Sequence, residues 1–269
     1  MPDPLNDRNS FADSIFRKEN LLFIVLAAFF VCNALIAEFI GVKIFSLEET
    51  LGMDALNLSL FGQERLSFNL TAGVLLWPVV FLLTDIVNDY YGVRGVRFLS
   101  YLASALISYA FFMFYFGMEL PPASFWLERE LETGITVNMQ HSFNAIFGQG
   151  LWIIVGSLVA FLIGQLLDAY IFRGIKRLTG DRRIWLRATA STLVSQLIDS
   201  FVVLFIAFYL GAGWDLSLVL AIGVVNYIYK FVVAIGLIPA LYGIHWLIER
   251  YLGKGKAEEM RLRALVKRS

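Results

Sequence analysis

Five acids and two bases of this 269-residue chain read as charges embedded at membrane depth: Glu38, Asp85, Asp89, Asp168 and Asp199, with Lys43 and Lys230. A charge at membrane depth costs roughly 2.5–3.5 kcal/mol on insertion scales, so each needs a partner, a wet cavity or a task. Thr192, Ser195, Gln196 and Asp199 follow one another at steps of three, one and three. Gln165 and Asp168 are three apart, and Asn226 and Lys230 four apart. Residues three or four apart share a helix face. The Thr192–Asp199 set is therefore a polar stripe two turns long, which must point into a bundle or a wet cavity. Asp199 sits at the middle of its apolar run and Lys230 lies deep in another, so an Asp199–Lys230 ion pair is the simplest way to hold both.

Each of these residues also has a plainer reading. The hydroxyls of Ser191, Thr192 and Ser195 can bond their own backbone or a neighbouring helix. Asp85, Asn88, Asp89 and Asp168 lie toward the ends of their runs, within reach of Arg94, Arg97 or Arg173. Tyr227, Phe201 and Phe231 could stack a ring, but in a chain that is 15% aromatic they also read as packing, as do Cys32 and His245. A single cysteine and two histidines exclude an internal disulfide and supply no metal cluster. Absent too are the G-x-x-x-x-G-K-[ST] phosphate loop, the H-E-x-x-H zinc motif and the G-x-S-x-G nucleophile elbow. No cofactor or metal is expected, and the chain does not read as an enzyme.

The elements that must position these residues are long apolar helices. The chain is 58% hydrophobic and 16% charged, with a mean hydropathy of +0.70. A soluble domain carries about a quarter charged residues. Six runs are long enough for a hydrocarbon core, which needs about 20 residues: Asn20–Ile44, Leu70–Tyr90, Val96–Phe116, Leu151–Phe172, Ala188–Leu210 and Leu216–Ile248. The last is too long to cross without tilting or bending, and Pro239 supplies a kink site by removing an intrahelical hydrogen bond. The expected fold is an all-α, polytopic bundle of six transmembrane helices. It is flanked by a cytoplasmic N-terminal tail over 1–19 and a basic cytoplasmic C-terminal tail over 253–269, with the membrane domain over 20–252.

Orientation follows from the loop charges. The N-terminal tail, the second and fourth connections and the C-terminal tail together hold 18 of the 22 Lys and Arg residues, whereas the alternate connections hold only Arg65 and Arg129. Both termini are therefore expected in the cytoplasm of a bacterial inner membrane. The opposite face is acidic, with Glu48, Glu49, Asp54 and Glu64 in one loop and Glu119, Glu128, Glu130 and Glu132 in another; such charges are most simply solvated. That second loop, Gly117–Gly150, carries Phe125-Trp126 and could lay a helix along the interface. A formal net charge of zero offers no field for nucleic acid.

Four segments together resemble the queuosine precursor transporter family, which is grouped with vitamin-uptake-type transporters. They are Leu82–Arg97 (LLTDIVNDYYGVRGVR), Gly164–Asp168 (GQLLD), Ser191–Ser200 (STLVSQLIDS) and the pair Tyr227…Lys230. Asp89 departs from the pattern, where Glu is expected, but keeps the carboxylate. The resemblance implies import of 7-deazaguanine precursors of a tRNA base, such as preQ0 and preQ1. A flat ring with a guanine-like edge suits a carboxylate that accepts two N–H groups and an amide that complements a donor and an acceptor. On that reading Asp199, Gln196, Glu38, Lys230, Gln165, Asn226, Ser195 and Asp85 line the substrate path. The partners are a small molecule and the lipid bilayer, and a homo-oligomer is compatible with the sequence. Energy coupling is not written in the chain.

A rival class is an integral-membrane lipid-modifying enzyme, with Asp85 and Asp89 holding a metal and a phosphate at the cytoplasmic face. Depth separates the two, because Gln196, Asp199 and Lys230 lie far from either surface. The charge count itself makes a prediction. A reporter active only in the periplasm should give signal when fused after Ile135 and none after Gly180; the reverse pattern overturns the orientation.

Overall fold

The computed structural model describes residues 16–148, 151–179 and 184–266. Helix α1 (Lys18–Ile40) leads into strand β1 (Ile44–Ser46), a helical turn α2 (Leu47–Thr50), and strands β2 (Leu58–Leu60), β3 (Gln63–Leu66) and β4 (Asn69–Thr71). Pairing of β1 with β4, from Ile44 opposite Thr71 to Ser46 opposite Asn69, closes the loop and brings the chain back beside α1. Gly73 then packs so tightly that a Cβ there would sit 2.5 Å from the Ala37 carbonyl oxygen. The β2–β3 hairpin turns on Phe61 and Gly62, both with positive φ, the two-residue geometry that matches strand twist. Within this acidic loop Glu48 is buried rather than solvated, and its Oε1 accepts from the Phe68 amide at 2.8 Å.

Helix α3 (Trp77–Glu119) joins two of the expected runs into one element, and its backbone leaves the helical region at Gly92 (φ 73°, ψ −178°). The neighbours of α1 trace what happens there. The first arm starts near Ala37 and arrives at Tyr91, whose hydroxyl donates to the Glu19 carbonyl at 2.6 Å and whose ring lies 4.9 Å from Phe23. The second arm leaves from Phe98, 6.3 Å from Phe23, and ends with Phe111 and Phe114 against Phe39. The chain therefore doubles back at Gly92.

Beyond α3 come α4 (Ser124–Leu127), a ribbon of β5 (Glu128–Glu130) with β6 (Thr136–Asn138), and α5 (Met139–Phe147). Then follow α6 (Leu151–Thr179), α7 (Ile184–Leu204) ending in a π-helical turn over Phe205–Leu210, α8 (Leu216–Gly236), α9 (Ile238–Leu252) and α10 (Lys254–Val266). The bend expected at Pro239 is a break at Leu237, with the proline in the first turn of α9, where its missing N–H costs nothing. Among the described residues, five helical stretches, those containing α1, α3, α6, α7 and α8, are by length and composition apolar enough to cross a membrane. Large apolar side chains such as Phe29, Phe112, Leu197 and Val232 cover their outer faces. So much exposed apolar surface belongs in lipid. The chain is a multi-pass membrane protein. Besides helices, the described residues form three short two-stranded ribbons in the connections.

Both described ends meet at one pole of the bundle. Lys18 Nζ donates to the Tyr251 carbonyl at 3.1 Å and Lys256 lies 3.8 Å from Glu19. Helix α10 is packed there, with Ala257 and Met260 buried and the Ala264 carbonyl over Gly92. The conformation at Gly92 is one that essentially only glycine adopts, and strain of this kind costs about 1–3 kcal/mol. Gly92→Ala should lower the unfolding midpoint by a corresponding amount, while Gly174→Ala in α6, with open space around it, should not. Equal midpoints for the two variants would mean that the reversal does not depend on this backbone.

Candidate functional site

Every residue from Val80 to Tyr90 is buried, so the first arm of α3 runs through the middle of the bundle. A helix enclosed on all sides is ordinarily apolar all round. This one carries Thr84, Asp85, Asn88 and Asp89, and the helices around it must supply their partners. Thr84 donates to Gln165 Oε1, and Asn88 Nδ2 donates to the Ala169 carbonyl at 2.8 Å. Asp89 pairs with Lys176, Nζ to Oδ1 2.5 Å, and both side chains are fully enclosed. Lys176 also donates to the Asp89 carbonyl at 3.1 Å.

Helices α6 and α7 cross antiparallel at close range. A Cβ on Gly164 would lie 3.5 Å from the Asp199 Cβ, and one on Gly156 would lie 3.1 Å from the Val203 carbonyl oxygen. This register turns the polar stripe inward. Thr192, Ser195 and Gln196 are buried, whereas Val194 and Leu197 on the other face are 43% and 40% exposed. The expected ion pair is present, with Lys230 Nζ 2.6 Å from Asp199 Oδ2.

A cleft opens beside that pair, between α3, α7, α8 and α9. It is lined by Asp85, Thr192, Gln196 and Lys230 among apolar residues that include Pro78 and Leu241. Its empty space is about 430 Å³ with the mouth included, and only a small part is wide enough for water. Behind it Asp85 and Asp168 face each other. The Thr192 hydroxyl lies 3.4 Å from Asp85 Oδ2 and 3.3 Å from Asp168 Oδ1, and the Ser195 hydroxyl 3.2 Å from that same Asp168 oxygen. Asp85 Oδ1, Asp168 Oδ2, Gln165 Nε2 and Gln196 Oε1 are buried with no hydrogen-bond partner.

The eight residues expected on the path thus divide. Asp85, Gln196 and Lys230 line the cleft, and Asp199 holds Lys230 from behind. Ser195 meets Asp168, and Gln165 accepts from Thr84 on the buried arm. Glu38 is off the cleft wall, where it accepts from the Ser157 hydroxyl near Asp199, and the half-buried Asn226 is not on that wall either. Three expectations need correction. Asp89 pairs with Lys176, a partner the sequence did not offer, because α6 continues to Thr179 and carries Lys176 into the interior. His245 is a hydrogen-bonding residue, 3.0 Å from the Tyr90 hydroxyl and 3.9 Å from Asp89 Oδ2. Cys32 is exposed rather than packed. Asp168 and Thr192 were legible only as members of spaced sets, and Lys176 carried no signal beyond a loop charge. Among the described residues no three His, Cys, Asp or Glu side chains converge.

The family model described as "Putative vitamin uptake transporter" matches residues 71–244, which include every group of the cleft and leave Glu38 and α10 outside. A "Probable queuosine precursor transporter" of Bacillus subtilis (strain 168) is 34% identical over 69% of this chain and 76% of its own length. The chain belongs to the queuosine precursor transporter family. A "Queuosine precursor transporter" of Escherichia coli (strain K12) is 28% identical over 71% of the chain and 80% of its own length, and a "Probable queuosine precursor transporter" of Haemophilus influenzae is 27% identical over 66% and 69%. No solved structure matches significantly.

In this family member the Asp199–Lys230 pair has a measurable consequence. Removing one partner of a buried pair costs about 3–5 kcal/mol, because the other charge is left uncompensated. Asp199→Asn should therefore melt well below wild type, and Asp199→Asn with Lys230→Met should recover most of the loss. A single variant as stable as wild type would show that the pair does not hold the helices together.

Proposed function

We propose that this chain imports queuosine precursors, 7-deazaguanines, across a bacterial inner membrane for salvage into tRNA modification. The observation that carries the reading is the cleft itself. A carboxylate (Asp85), an amide (Gln196), a hydroxyl (Thr192) and an ammonium (Lys230) line a recess among apolar walls deep in a membrane bundle. Sites for small molecules have this character, mostly apolar with a few placed polar groups. The names of the relatives supply the substrate class.

The path of the chain supports six crossings, because the α3 hairpin makes two passes and α8 with α9 makes one. Both termini then face the cytoplasm with the basic loops, and the membrane domain occupies 20–252. Gln196 Oε1, without a partner, is placed to accept from the amino edge of a purine-like base, and Asp85 from its ring N–H. The cleft is too narrow for a bicyclic ring as it stands, so binding needs it to widen. Its wall is drawn from both sides of the α8–α9 break (Ala234 and Leu237, then Ile238 and Leu241), and a change of angle there would open it. The lipid-enzyme reading loses one of its two carboxylates to Lys176.

Uptake of labelled 7-deazaguanine by cells unable to make it should depend on this protein. In a Cys32→Ala background, cysteines at Thr192 and Gln196 should react with small water-soluble thiol reagents and be protected by the precursor, and cysteines at Val194 and Leu197 should stay unreactive. Reactivity on the Val194 face alone, or uptake unaffected by deleting the protein, would defeat the assignment.

A further inference from the structure

Asp85 and Asp168 have no counter-charge. Among the described residues the basic groups nearby are committed elsewhere, Lys230 to Asp199 and Lys176 to Asp89. Asp89 on the same arm adds negative charge beside Asp85, and Glu38 on α1 adds it beside Asp199. Asp85 is 4% exposed and Asp168 fully enclosed, and their carboxyl groups lie within hydrogen-bonding range of each other. Two carboxylates in such a place require positive charge from outside the chain, since uncompensated charge is not tolerated in low dielectric.

The oxygen spacings say what kind of charge fits. Hydroxyl–carboxylate hydrogen bonds are ordinarily about 2.5–3.0 Å long. The three here are 3.2, 3.3 and 3.4 Å, each beyond that range. Hard cations hold oxygen ligands at about 2.3–2.6 Å, and for bonds of about 2.3 Å neighbouring ligands of an octahedron are roughly 3.3 Å apart. Thr192 has one hydroxyl proton for two carboxylates, but its lone pairs allow it to ligate a cation between them. Independently of the acids, Gln196 Oε1, on a side chain 2% exposed, has no partner and opens on the same cleft wall as Asp85 and Thr192.

We propose that Asp85, Asp168, Thr192 and Ser195 form an oxygen-lined site for a hard metal cation of sodium or calcium size, next to the substrate cleft and sharing Asp85 with it. The proposal rests on the transport reading for its role, since a cation held by Asp85 fixes the carboxylate that meets the substrate and so links the two binding events. The cation-binding claim itself stands on the geometry alone.

Purified full-length protein tests it by thermal unfolding at constant ionic strength, with sodium, calcium, potassium or choline as the added cation. Sodium or calcium should raise the midpoint by about 3–6 °C for each tenfold rise above its Kd, with choline inert. A response to sodium alone marks a monovalent site, and one to calcium at far lower concentration a divalent site; either supports the proposal. The shift should vanish in Asp168→Asn and be reduced at least tenfold in apparent affinity in Thr192→Val, which keeps both carboxyls. Should Asp168→Asn fail to fold, Thr192→Val and Ser195→Ala carry the test. No metal response, with stability that instead follows pH in wild type but not in Asp168→Asn, would overturn the proposal in favour of a shared proton. Stabilisation by the 7-deazaguanine alone, lost in Asp168→Asn, would overturn it in favour of a charge carried by the substrate. Uptake that proceeds without metal dependence would sink this inference and leave the transport reading standing. A metal shift without precursor uptake would do the reverse.

Discussion

Everything in this bundle answers to one constraint: a polar helix segment has been placed where almost none of its surface is exposed. The first arm of α3 is enclosed on every side, so each polar group on it must be met by a neighbouring helix or left expensive. An unmet buried donor or acceptor costs about 1–3 kcal/mol, more if charged. Gln165, the Ala169 carbonyl, Lys176 and Thr192 are the answers. They come from only two helices, α6 and α7, which fixes how those helices must lie. The close crossing at Gly156 and Gly164 follows, because small residues let backbones approach where lipid gives helices no hydrophobic reason to associate.

The same constraint separates the polar groups that hold the structure from those left over. Asp89 with Lys176, and Asp199 with Lys230, are closed pairs. Breaking either is costly, and each ties two helices at a definite register. Among the buried atoms left without a hydrogen-bond partner, Asp85 Oδ1 and Gln196 Oε1 belong to the cleft wall and Asp168 Oδ2 stands behind it, while Glu48 Oε2, Ser104 Oγ and Ser200 Oγ lie elsewhere. A few unsatisfied polar atoms in a native core call for explanation, and the two on the cleft wall are placed where a ligand can meet them.

Much of this was legible in the sequence, and what was not has a physical reason. Helical spacing alone showed that Thr192, Ser195, Gln196 and Asp199 share a face, and the cost of burying that face turned it inward. The Asp199–Lys230 pair followed from depth, since both charges lay near the middle of their runs. Spacing within one helix cannot say which helix it meets, however. Nearby arginines were the partners the sequence offered Asp89, whereas Lys176, distant in sequence, is brought to it only by packing. The reversal at Gly92 is written in one glycine whose φ no pattern displays. Glu38 carried the same signal as Asp199, a lone acid in an apolar run, yet it lies off the cleft and meets Ser157. Burial of charge marks a need for a partner. It does not say whether that partner is protein or substrate.

The two poles of the bundle are closed by different kinds of contact, and the difference bears on how a carrier could open. At the pole where the termini meet, α10 lies over Gly92, and Arg261 pairs with Glu249 at 3.0 Å beneath the Tyr90 ring. The buried Asp89–Lys176 pair and His245 stand just inside. Parting the helices there exposes or separates fully buried charges. At the other pole the β2–β3 hairpin reaches the start of α8 through a half-buried hydrogen bond from Gln63 to Ser217, 3.1 Å long. A neutral bond of that kind is worth about 0.5–1.5 kcal/mol, against about 3–5 kcal/mol for breaking a buried pair. Local opening draws on the least stable contacts. Of these two contacts the neutral Gln63–Ser217 bond is the weaker, and separating Asp89 from Lys176 leaves two buried charges to be met.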